Sequence, residues 1–353
     1  MSFIEKKHTY KIIFFVLLAL LFVIMLISAT MGSADISFTE SMKIVISRIP
    51  GIGKYIDLTQ ISSNKIGIVT IIRMPRIILA GLIGMNLAIA GSALQGMLRN
   101  PMADPGIIGI SSGAGLGAAL AITVGAGSYY KGIGLTTISA FIGAAVVIFL
   151  VYNIAKTGNK IPVITLILAG IAVSFICSAL TQLLMIFNRD QIEMIVRWTM
   201  GSLSAANWTK VKVILPISIF GISIIMYYAK ELNVISTGEE TAKTLGVNTE
   251  KTKKILLIVC SLITAACVSV SGVIGFVGLV IPHIMRILTG ADQRVLLPYS
   301  AIGGAIFMII CDTLARTIAA PAEIPVGIIT SLFGAPFFVY LLIINKRKGG
   351  AIN

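Results

Sequence analysis

The chain has 353 residues, of which 57% are hydrophobic and only 12% are charged. A soluble domain carries about 25% charged residues, so this composition excludes a water-exposed globular enzyme and an intrinsically disordered chain. The net charge of +14 does not indicate nucleic acid, because most basic residues lie in short gaps between apolar runs, where they match lipid headgroups and the positive-inside bias. We therefore predict an all-α, polytopic membrane protein.

A membrane-spanning helix needs about 20 mostly apolar residues, and uncharged runs of that kind follow one another along the chain. One run, Ile255–Met285, is long enough for about one and a half spans. Its small residues between Ser271 and Gly278 break a helix readily, so we divide it there and predict ten transmembrane helices, the eighth of them short. The runs are Ile12–Ala34, Ile77–Leu98, Pro105–Tyr130, Gly132–Ala155, Ile161–Asn188, Val213–Ala229, Ile255–Met285, Val295–Cys311 and Ile324–Asn345.

Basic residues flank both ends of the chain: Lys6, Lys7 and Lys11 at the start, and Lys346, Arg347 and Lys348 at the end. Such residues stay on the cytoplasmic side, so both termini are expected there and the number of crossings is even, which agrees with ten. The first apolar run is longer than the roughly 7–15 residues of a signal-peptide core, which favours a retained helix. We predict one transmembrane domain over residues 1–353, with one long outer loop at 33–65.

The second predicted span opens with Arg73-Met74-Pro75-Arg76. Proline suits the first turn of a helix, but two cations at a helix N-terminus oppose its dipole. Because guanidinium groups bind carboxylates bidentately, Arg73 and Arg76 are candidates for binding an acidic partner; the alternative is anchoring in lipid headgroups. Asp312, the one candidate carboxylate within the predicted spans, lies four residues before Arg316, a spacing typical of a pair on a helix surface.

The turn between the second and third spans, Arg99–Gly106, contains two prolines. They force an irregular backbone at the membrane edge, which is tolerated where it lines a cavity; the alternative is a plain tight turn. Small residues recur every four positions on both flanking spans, a pattern that lets helix backbones approach closely. These residues are Gly84, Ala88, Ser92 and Gly96 on the second span and Gly109, Gly113 and Gly117 on the third.

The segment 236–248, between the sixth and seventh spans, has the features of a short helix outside the membrane. Thr237 and Glu240 have the spacing of a capping box, and the leading acidic residues suit the helix dipole. Gly246 is expected to end the helix in the left-handed conformation after Leu245. A capped helix over Thr237–Leu245 can dock in a groove of another protein; the alternative is a solvated surface helix.

Motifs for catalysis and for metal binding are missing from the sequence. It has no G-x-x-x-x-G-K-[ST], H-E-x-x-H or C-x-x-C pattern, and its one G-x-S-x-G match, Gly109–Gly113, lies in an apolar run far in sequence from both histidines, so we predict no catalytic, ATP-binding or metal-binding residues in this chain. The four cysteines lie inside apolar runs and are expected to pack as small apolar residues. A secondary transporter usually needs a buried acidic relay, and an intramembrane enzyme needs clustered His, Asp or Ser; both classes stay open as alternatives.

A family pattern is carried by Arg73–Arg76, Gly91–Gly96, Asn100–Gly106, Gly109–Gly115, Glu239–Gly246, Pro282-His283, Glu323–Gly327 and Phe333–Phe338. In order and spacing these stretches resemble the FecCD-type permeases, the membrane subunits of type II ABC importers for iron chelates, haem and cobalamin. The resemblance runs from about Arg73 to Leu342 and is weakest in the outer loop 33–65. It implies a permease fold of ten transmembrane helices in a bacterial or archaeal cytoplasmic membrane.

The same resemblance implies the partners and the roles of individual residues. The partners are a second permease subunit (a copy or a paralogue), two ATPase subunits that bind ATP and Mg²⁺, an extracytoplasmic substrate-binding protein and membrane lipid; this chain itself would bind no cofactor and no nucleic acid. The pathway would be lined by Ile161–Asn188 and Ile324–Leu342. The implied residues are Arg73, Arg76 and Arg316 for binding-protein docking, Asn100 and Met102 at the cytoplasmic gate, and Thr237, Glu239, Glu240, Leu245 and Gly246 for ATPase coupling.

For the cargo we expect a ferric siderophore, with haem and cobalamin as alternatives. The expectation rests on the resemblance, because iron chelates are the commonest cargo of that family. The two predicted pathway segments are uncharged and offer only hydroxyl and amide groups. Such a wall lets a bulky chelate pass without holding it, but it does not discriminate among the three cargoes. The groups are Thr165, Ser174, Ser178, Thr181, Gln182, Thr330 and Ser331.

Overall fold

The structure, a computed structural model, describes residues 3–32, 34, 36–48, 51, 53–125, 129–130, 133–158 and 162–347. Three residues that bound predicted helices or the predicted loop, Ser33, Gly132 and Ile161, lie outside these ranges, as does Lys348, one of the basic residues predicted to be cytoplasmic. The described part of the chain is almost entirely helical, as predicted. Within it, the one pair of strands is the two-residue β1 (Tyr129–Tyr130), which pairs antiparallel with β2 (Ile133–Gly134).

The α-helices of the described ranges are α1 (Phe3–Thr30), α2 (Phe38–Ser47), α3 (Ser63–Gly67), α4 (Met74–Leu98), α5 (Ile110–Thr123), α6 (Leu135–Ala155), α7 (Val163–Phe187), α8 (Ile192–Thr199), α9 (Trp208–Tyr227), α10 (Ala229–Thr237), α11 (Glu239–Thr244), α12 (Thr249–Ser271), α13 (Val277–Thr289), α14 (Gln293–Thr317) and α15 (Val326–Arg347). Short 3-10 turns lie at Gly53–Tyr55, Pro105–Ile108 and Arg189–Gln191, and a π-helical stretch at Ile68–Arg73 joins α3 to α4.

Ten apolar helical stretches correspond, in order, to the ten predicted segments. Seven of those described are long and apolar enough to cross a membrane, and α5, α13 and the first part of α15 are shorter apolar helices. The long run Ile255–Met285 is divided where predicted, because α12 ends at Ser271 and α13 begins at Val277. The chain is therefore a multi-pass membrane protein, and ten complete crossings stay a prediction.

The second span begins about ten residues earlier than predicted. Its helix starts at Ser63 and passes through the π-helical stretch before α4, so Pro75 lies in the first turn of α4 but not at the start of the span. Proline has no N–H to donate; in the π register the donor at position 75 would bond the carbonyl of Thr70. That carbonyl instead accepts a hydrogen bond from the indole N–H of Trp208, at 2.9 Å. The proline thus interrupts the backbone bonding without ending the helix.

Two other predicted segments differ in extent. The third span, predicted over Pro105–Tyr130, contains a helix of only 14 residues, α5, because a 3-10 turn and the left-handed Gly109 precede it. The outer segment 33–65 is not a plain loop. It contains α2, which is amphipathic and begins with a capping box at Ser37, and Ile36, Ile44 and Ile61 form a small apolar cluster with Val69.

Helix α4 lies at the centre of the bundle, and glycines set how closely its neighbours approach. A Cβ added to Gly84 would lie 2.1 Å from the carbonyl oxygen of Gly304 in α14, and one added to Gly91 would lie 1.9 Å from that of Gly278 in α13. These distances are far below van der Waals contact, so any larger residue must separate the helices. On the third span a Cβ added to Gly117 would lie 2.2 Å from the carbonyl oxygen of Ser139 in α6, so the small-residue faces predicted on both spans are packing faces.

Replacing Gly91 by Ala should therefore destabilise the protein, although alanine is the better helix former. Because the contacting atoms are backbone, the helices must move apart, and we expect the free energy of unfolding to fall by about 3 kcal/mol, at the upper end for overpacking. Thermal unfolding of the purified chain in detergent measures this. Gly81→Ala on the same helix is the control, since the nearest atom to its Cβ would be Ile309 Cδ1 at 3.5 Å, an ordinary van der Waals contact; equal melting temperatures of the two variants would refute the close-packing argument.

Candidate functional site

A long groove runs between α5, α7, α8 and α15, along the segment 272–276 that links α12 to α13. It consists of two adjoining cavities of about 600 and 270 Å³, which share Thr199 and Val273. The larger one is lined by Met200, Gly275, Gly327, Ile328, Ser331, Leu332, Ala335 and Pro336 in addition to the shared residues, and the smaller one by Ser111, Ser112, Gly115, Ser178, Thr181, Gln182, Met185 and Ile195. None of these residues is charged.

Four of the polar residues predicted on the pathway segments lie in this groove: Ser178, Thr181, Gln182 and Ser331. The hydroxyl of Thr181 donates to the carbonyl of Cys177, and that of Ser331 to the carbonyl of Gly327. Their donors are thus used within their own helices, and the oxygens face the groove as weak acceptors. The predicted residues Thr165, Ser174 and Thr330 do not line either cavity.

The segment 272–276 gives the groove its shape. Gly272 and Phe276 both adopt left-handed backbone conformations, with φ of +73° and +68°. The carbonyl of Ser271 accepts a hydrogen bond from the backbone N–H of Ser202 at 2.7 Å, which ties the segment to the chain after α8. A Cβ on Gly334 of α15 would lie 2.3 Å from Cβ of Phe276, so α15 packs directly on this irregular backbone, of the kind tolerated at membrane depth where it lines a cavity.

The end of the bundle that was predicted to face outward contains the three arginines that were predicted to dock a partner. All three are buried: Arg73 is 3% exposed, and Arg76 and Arg316 are each 6% exposed. Arg76 donates from Nε to both oxygens of Asp312 at 3.0 Å and from Nη1 to Oε1 of Glu323 at 2.8 Å. Two carboxylates distant in sequence therefore cover the guanidinium group of Arg76, and the docking role of the three arginines stays a prediction.

The other two arginines bond to the end of α1. Arg73 donates to the backbone carbonyls of Ala29, Thr30 and Ala34, and Arg316 donates to the carbonyl and hydroxyl of Ser28. Arg316 also lies 3.8 Å from Asp312, so the predicted pair exists, but it is buried within the protein and not on a helix surface. Together these groups hold the outer ends of α1, α4 and α14 and the loop before α15.

At the predicted cytoplasmic gate, Asn100 organises the turn after α4. Its side-chain oxygen accepts the backbone N–H of Met102 at 2.9 Å, an Asx turn that residues of this type favour. Arg99 before it is left-handed, with φ of +51°. Both Asn100 and Met102 are partly buried, and neither lines the two cavities of the groove.

The predicted cytoplasmic helix is shorter than expected and is preceded by another helix. Thr237 ends α10, and its hydroxyl donates to the carbonyl of Val234. Gly238 stands at the N-cap of α11 without a side-chain cap, so the predicted capping box between Thr237 and Glu240 is wrong. The physical reason is the buried apolar face of α10, formed by Ala229, Leu232 and Ile235, which continues the helix to residue 237.

The end of α11 agrees with the prediction. Gly246 has a φ of +81°, and the N–H of Val247 bonds the carbonyl of Ala242 at 3.0 Å, as in a Schellman motif. The side chain of Leu245 next to it is 67% exposed. This termination therefore leaves one large apolar residue projecting from the helix end.

Two polar links tie α10 and α11 to the bundle. Lys253 of α12 donates to Glu239 at 2.6 Å, and this hydrogen bond lowers the pKa of the Glu239 carboxyl. Asn233 of α10 donates to Asp292, the N-cap of α14, at 2.7 Å. The pKa of Asp292 is lowered to about 2, mainly by hydrogen bonds from the side chain of Arg294. Both carboxylates are ionised at neutral pH, so both links carry a charge.

Comparison with known families identifies the chain. The model of the FecCD transport family matches residues 20–344, which is nearly the whole chain. The chain belongs to the FecCD transport family. The predicted resemblance is thereby confirmed. Membership of this family replaces the two alternatives, a secondary transporter and an intramembrane enzyme.

Individual relatives of this FecCD-family chain support the same assignment. The cobalamin import system permease BtuC of Halobacterium salinarum is 48% identical over 78% of this chain and 73% of its own. The Fe(3+)-citrate import system permease YfmD of Bacillus subtilis is 35% identical over 98% of this chain and 97% of its own. A solved metal-chelate type ABC transporter in an inward-facing conformation has a TM-score of 0.79 at 32% identity, covering 95% of this chain and 99% of that one.

Some groove residues of this FecCD-family chain were missed by the sequence analysis. Helix α8, which contributes Ile195 and Thr199, was not predicted, and Val273 was treated only as part of a helix break. The signal for α8 was present, because Glu193 and Arg197 are four residues apart among apolar residues, which places both charges on one face as in an amphipathic helix. No signal indicated that Val273 would face the groove, since its orientation depends on the long-range bond between Ser202 and Ser271.

Proposed function

We propose that this chain is one of two permease subunits that together enclose the pathway of a type II ABC importer for a metal chelate. The observation that carries the proposal is the groove between α5, α7 and α15, which a single subunit leaves open and which only neutral residues line. A second subunit, either a copy of this chain or a paralogue, would close it. The wall then offers weak contacts that a large cargo can leave, which conduction requires.

The energy would come from ATPase subunits that dock on α11. Glu239 ties α11 to Lys253 of α12, and the other end of α12 leads into Val273 on the groove wall. A displacement of α11 therefore reaches the groove through one rigid helix. Closure of the ATPase pair on ATP and Mg²⁺, bound by those subunits and not by this chain, would open the pathway to one side and then to the other.

The proposed orientation places both termini and α11 in the cytoplasm and the cluster around Asp312 at the outer face. The extracytoplasmic binding protein docks there, over the ends of α4 and α14. Of the charged residues in the cluster, Glu323 has the most exposed side chain, at 39%. Arg73, Arg76 and Arg316 remain candidates for contact with acidic residues of that partner, and such a contact requires them to exchange the bonds that they make inside this chain.

For the cargo, the lack of charge in the groove favours a chelate with a neutral outer surface. Burying an anionic chelate without a cation to pair with it is costly, and neither cavity has a lysine or arginine in its wall. A neutral ferric siderophore is the first candidate. Cobalamin is the second, favoured by the 48% identity to a cobalamin import permease. Haem, which carries two carboxylates, fits this wall less well.

The test is an uptake assay in cells that lack the gene and carry either the parent chain or a groove variant. Ser178→Trp should fill the smaller cavity and lower uptake of the cognate chelate at least tenfold. The matched control is Phe175→Trp, on the same helix, because Phe175 is exposed and does not line the groove. Normal uptake by Ser178→Trp at normal expression would refute the groove as the pathway.

The same cells identify the cargo. Radioiron-loaded siderophore, haem and cobalamin are supplied separately, and the cargo whose uptake depends on the gene and falls with Ser178→Trp is the substrate. Lost cobalamin or haem uptake with unimpaired siderophore uptake would overturn the first candidate and leave the permease assignment intact. If the gene affects none of the three, the importer does not carry chelates of these classes.

A further inference from the structure

A narrow crevice between α6, α9 and α12, separate from the groove, has a volume of about 200 Å³. Its walls are almost wholly apolar, but the side chain of Lys210 lines it and the residue is only 9% exposed. The ammonium group makes one hydrogen bond, to the backbone carbonyl of Val270 at 3.3 Å. Among the described residues, no carboxylate forms an ion pair with it.

The position of Lys210 is energetically unfavourable for an ammonium group that has no anionic partner. A buried charge is costly unless it is paired, and an ammonium group has three N–H donors, of which one carbonyl satisfies one. Lys210 is also the third residue of α9, where the positive end of the helix dipole opposes a further positive charge. Both effects would be relieved by an anion bound at this position.

The crevice is polar at one end and apolar along its length. On α9, the wall runs from Lys210 to Ile217, about 10 Å further along the helix axis. On α6 it runs from Thr137 to Phe141, and on α12 from Val270 and Ser269 back to Ala266, while Ile133 before α6 also lines the end near Lys210. All three helices therefore place a polar side chain at the same end and apolar side chains beyond it.

We infer that this crevice is a binding site for an anionic phospholipid, with the phosphate on Lys210 and an acyl chain along α9. Trp208, two residues before Lys210, fits this depth, because tryptophan is enriched where the headgroups lie. Val213 at the mouth is 36% exposed, so a chain can enter from the side of the bundle. The site is independent of the groove and of the identity of the cargo.

The experiment measures lipid retained by the full-length protein. The purified chain in detergent is incubated with phosphatidylglycerol, phosphatidylcholine or oleate, and bound molecules are counted by native mass spectrometry. The parent should retain phosphatidylglycerol in preference to phosphatidylcholine, and Lys210→Gln should lower its apparent affinity about tenfold. Lys212→Gln, at an exposed position two residues along the same helix, is the control and should bind like the parent.

A second variant keeps the lysine and closes the crevice. Val213→Trp should fill the mouth and remove the preference, and it decides the matter if Lys210→Gln does not fold. The proposal is overturned if Lys210→Gln or Val213→Trp retains phosphatidylglycerol as the parent does, or if the parent retains both phospholipids equally. Retention of oleate alone, dependent on Lys210, would also overturn it, because the site would then bind a fatty-acid carboxylate and not a phospholipid.

Discussion

Replacement of Leu245 by Asp should lower uptake at least tenfold while the permease still folds and reaches the membrane. Leu245 is 67% exposed at the end of α11, where its side chain contributes little to the stability of this chain. If it enters a groove of the ATPase, a carboxylate at that position must be buried without a partner, which costs several kcal/mol, and a tenfold loss of affinity needs only about 1.4 kcal/mol. Uptake of the cognate chelate and co-purification of the ATPase measure the effect.

Two controls distinguish loss of docking from a general effect of charge. Leu245→Met keeps an apolar side chain of similar volume and should transport like the parent. Ser236→Asp adds the same charge at an exposed position of the neighbouring helix α10 and should have a small effect. Normal uptake by Leu245→Asp, with normal expression, would mean that α11 is only a solvated surface helix, for which surface substitutions stay within about 0.5 kcal/mol.

Local features of the sequence predicted much of the fold. The division of Ile255–Met285 followed from its length and from glycines that break helices, and Gly246 was predicted to be left-handed because a helix ending there requires it. Both are properties of a few consecutive residues. The capping box at Thr237 was also a local inference, but it failed because the apolar face of α10 is buried against the bundle, and tertiary packing decided where that helix ends.

The candidate site depended on contacts that no local pattern contains. The groove wall at Val273 is positioned by the bond between Ser202 and Ser271, and the environment of Arg76 is set by Asp312, 236 residues away. The sequence pattern therefore placed the arginines at the ends of predicted spans, near the membrane surface. It left open whether they dock a partner protein or anchor in lipid headgroups. The burial of Arg76 became visible only when the folded helices brought Asp312 and Glu323 beside it.

The outer cluster leads to the second large effect, which concerns stability. Asp312 is 1% exposed and accepts two hydrogen bonds from Arg76. Asp312→Asn would leave the guanidinium groups of Arg76 and Arg316 buried without this carboxylate, and removing one partner of a buried ion pair costs about 3–5 kcal/mol. Thermal unfolding in detergent should show a large fall in melting temperature.

The matched control is Arg197→Gln, which breaks the ion pair between Arg197 and Glu193. The side chain of Arg197 is 72% exposed and that of Glu193 is 83% exposed. An exposed pair contributes about 0–1 kcal/mol, so this variant should melt close to the parent. If Asp312→Asn also melts with the parent, the cluster does not hold the outer ends of the helices together.

A double variant separates the structural role of the cluster from docking. Replacing both members of a buried pair by apolar residues is often nearly neutral, so Arg76→Met with Asp312→Leu should recover part of the stability that Asp312→Asn loses. The unrecovered part comes from Glu323, which loses Arg76, and from Arg316, which still lacks the carboxylate of Asp312. Capture of the binding protein by this variant then tests Arg76 alone. Lost capture at recovered stability would mean that Arg76 also contacts the partner. Unchanged capture would mean that its role is to hold α4 to α14 beneath the docking surface.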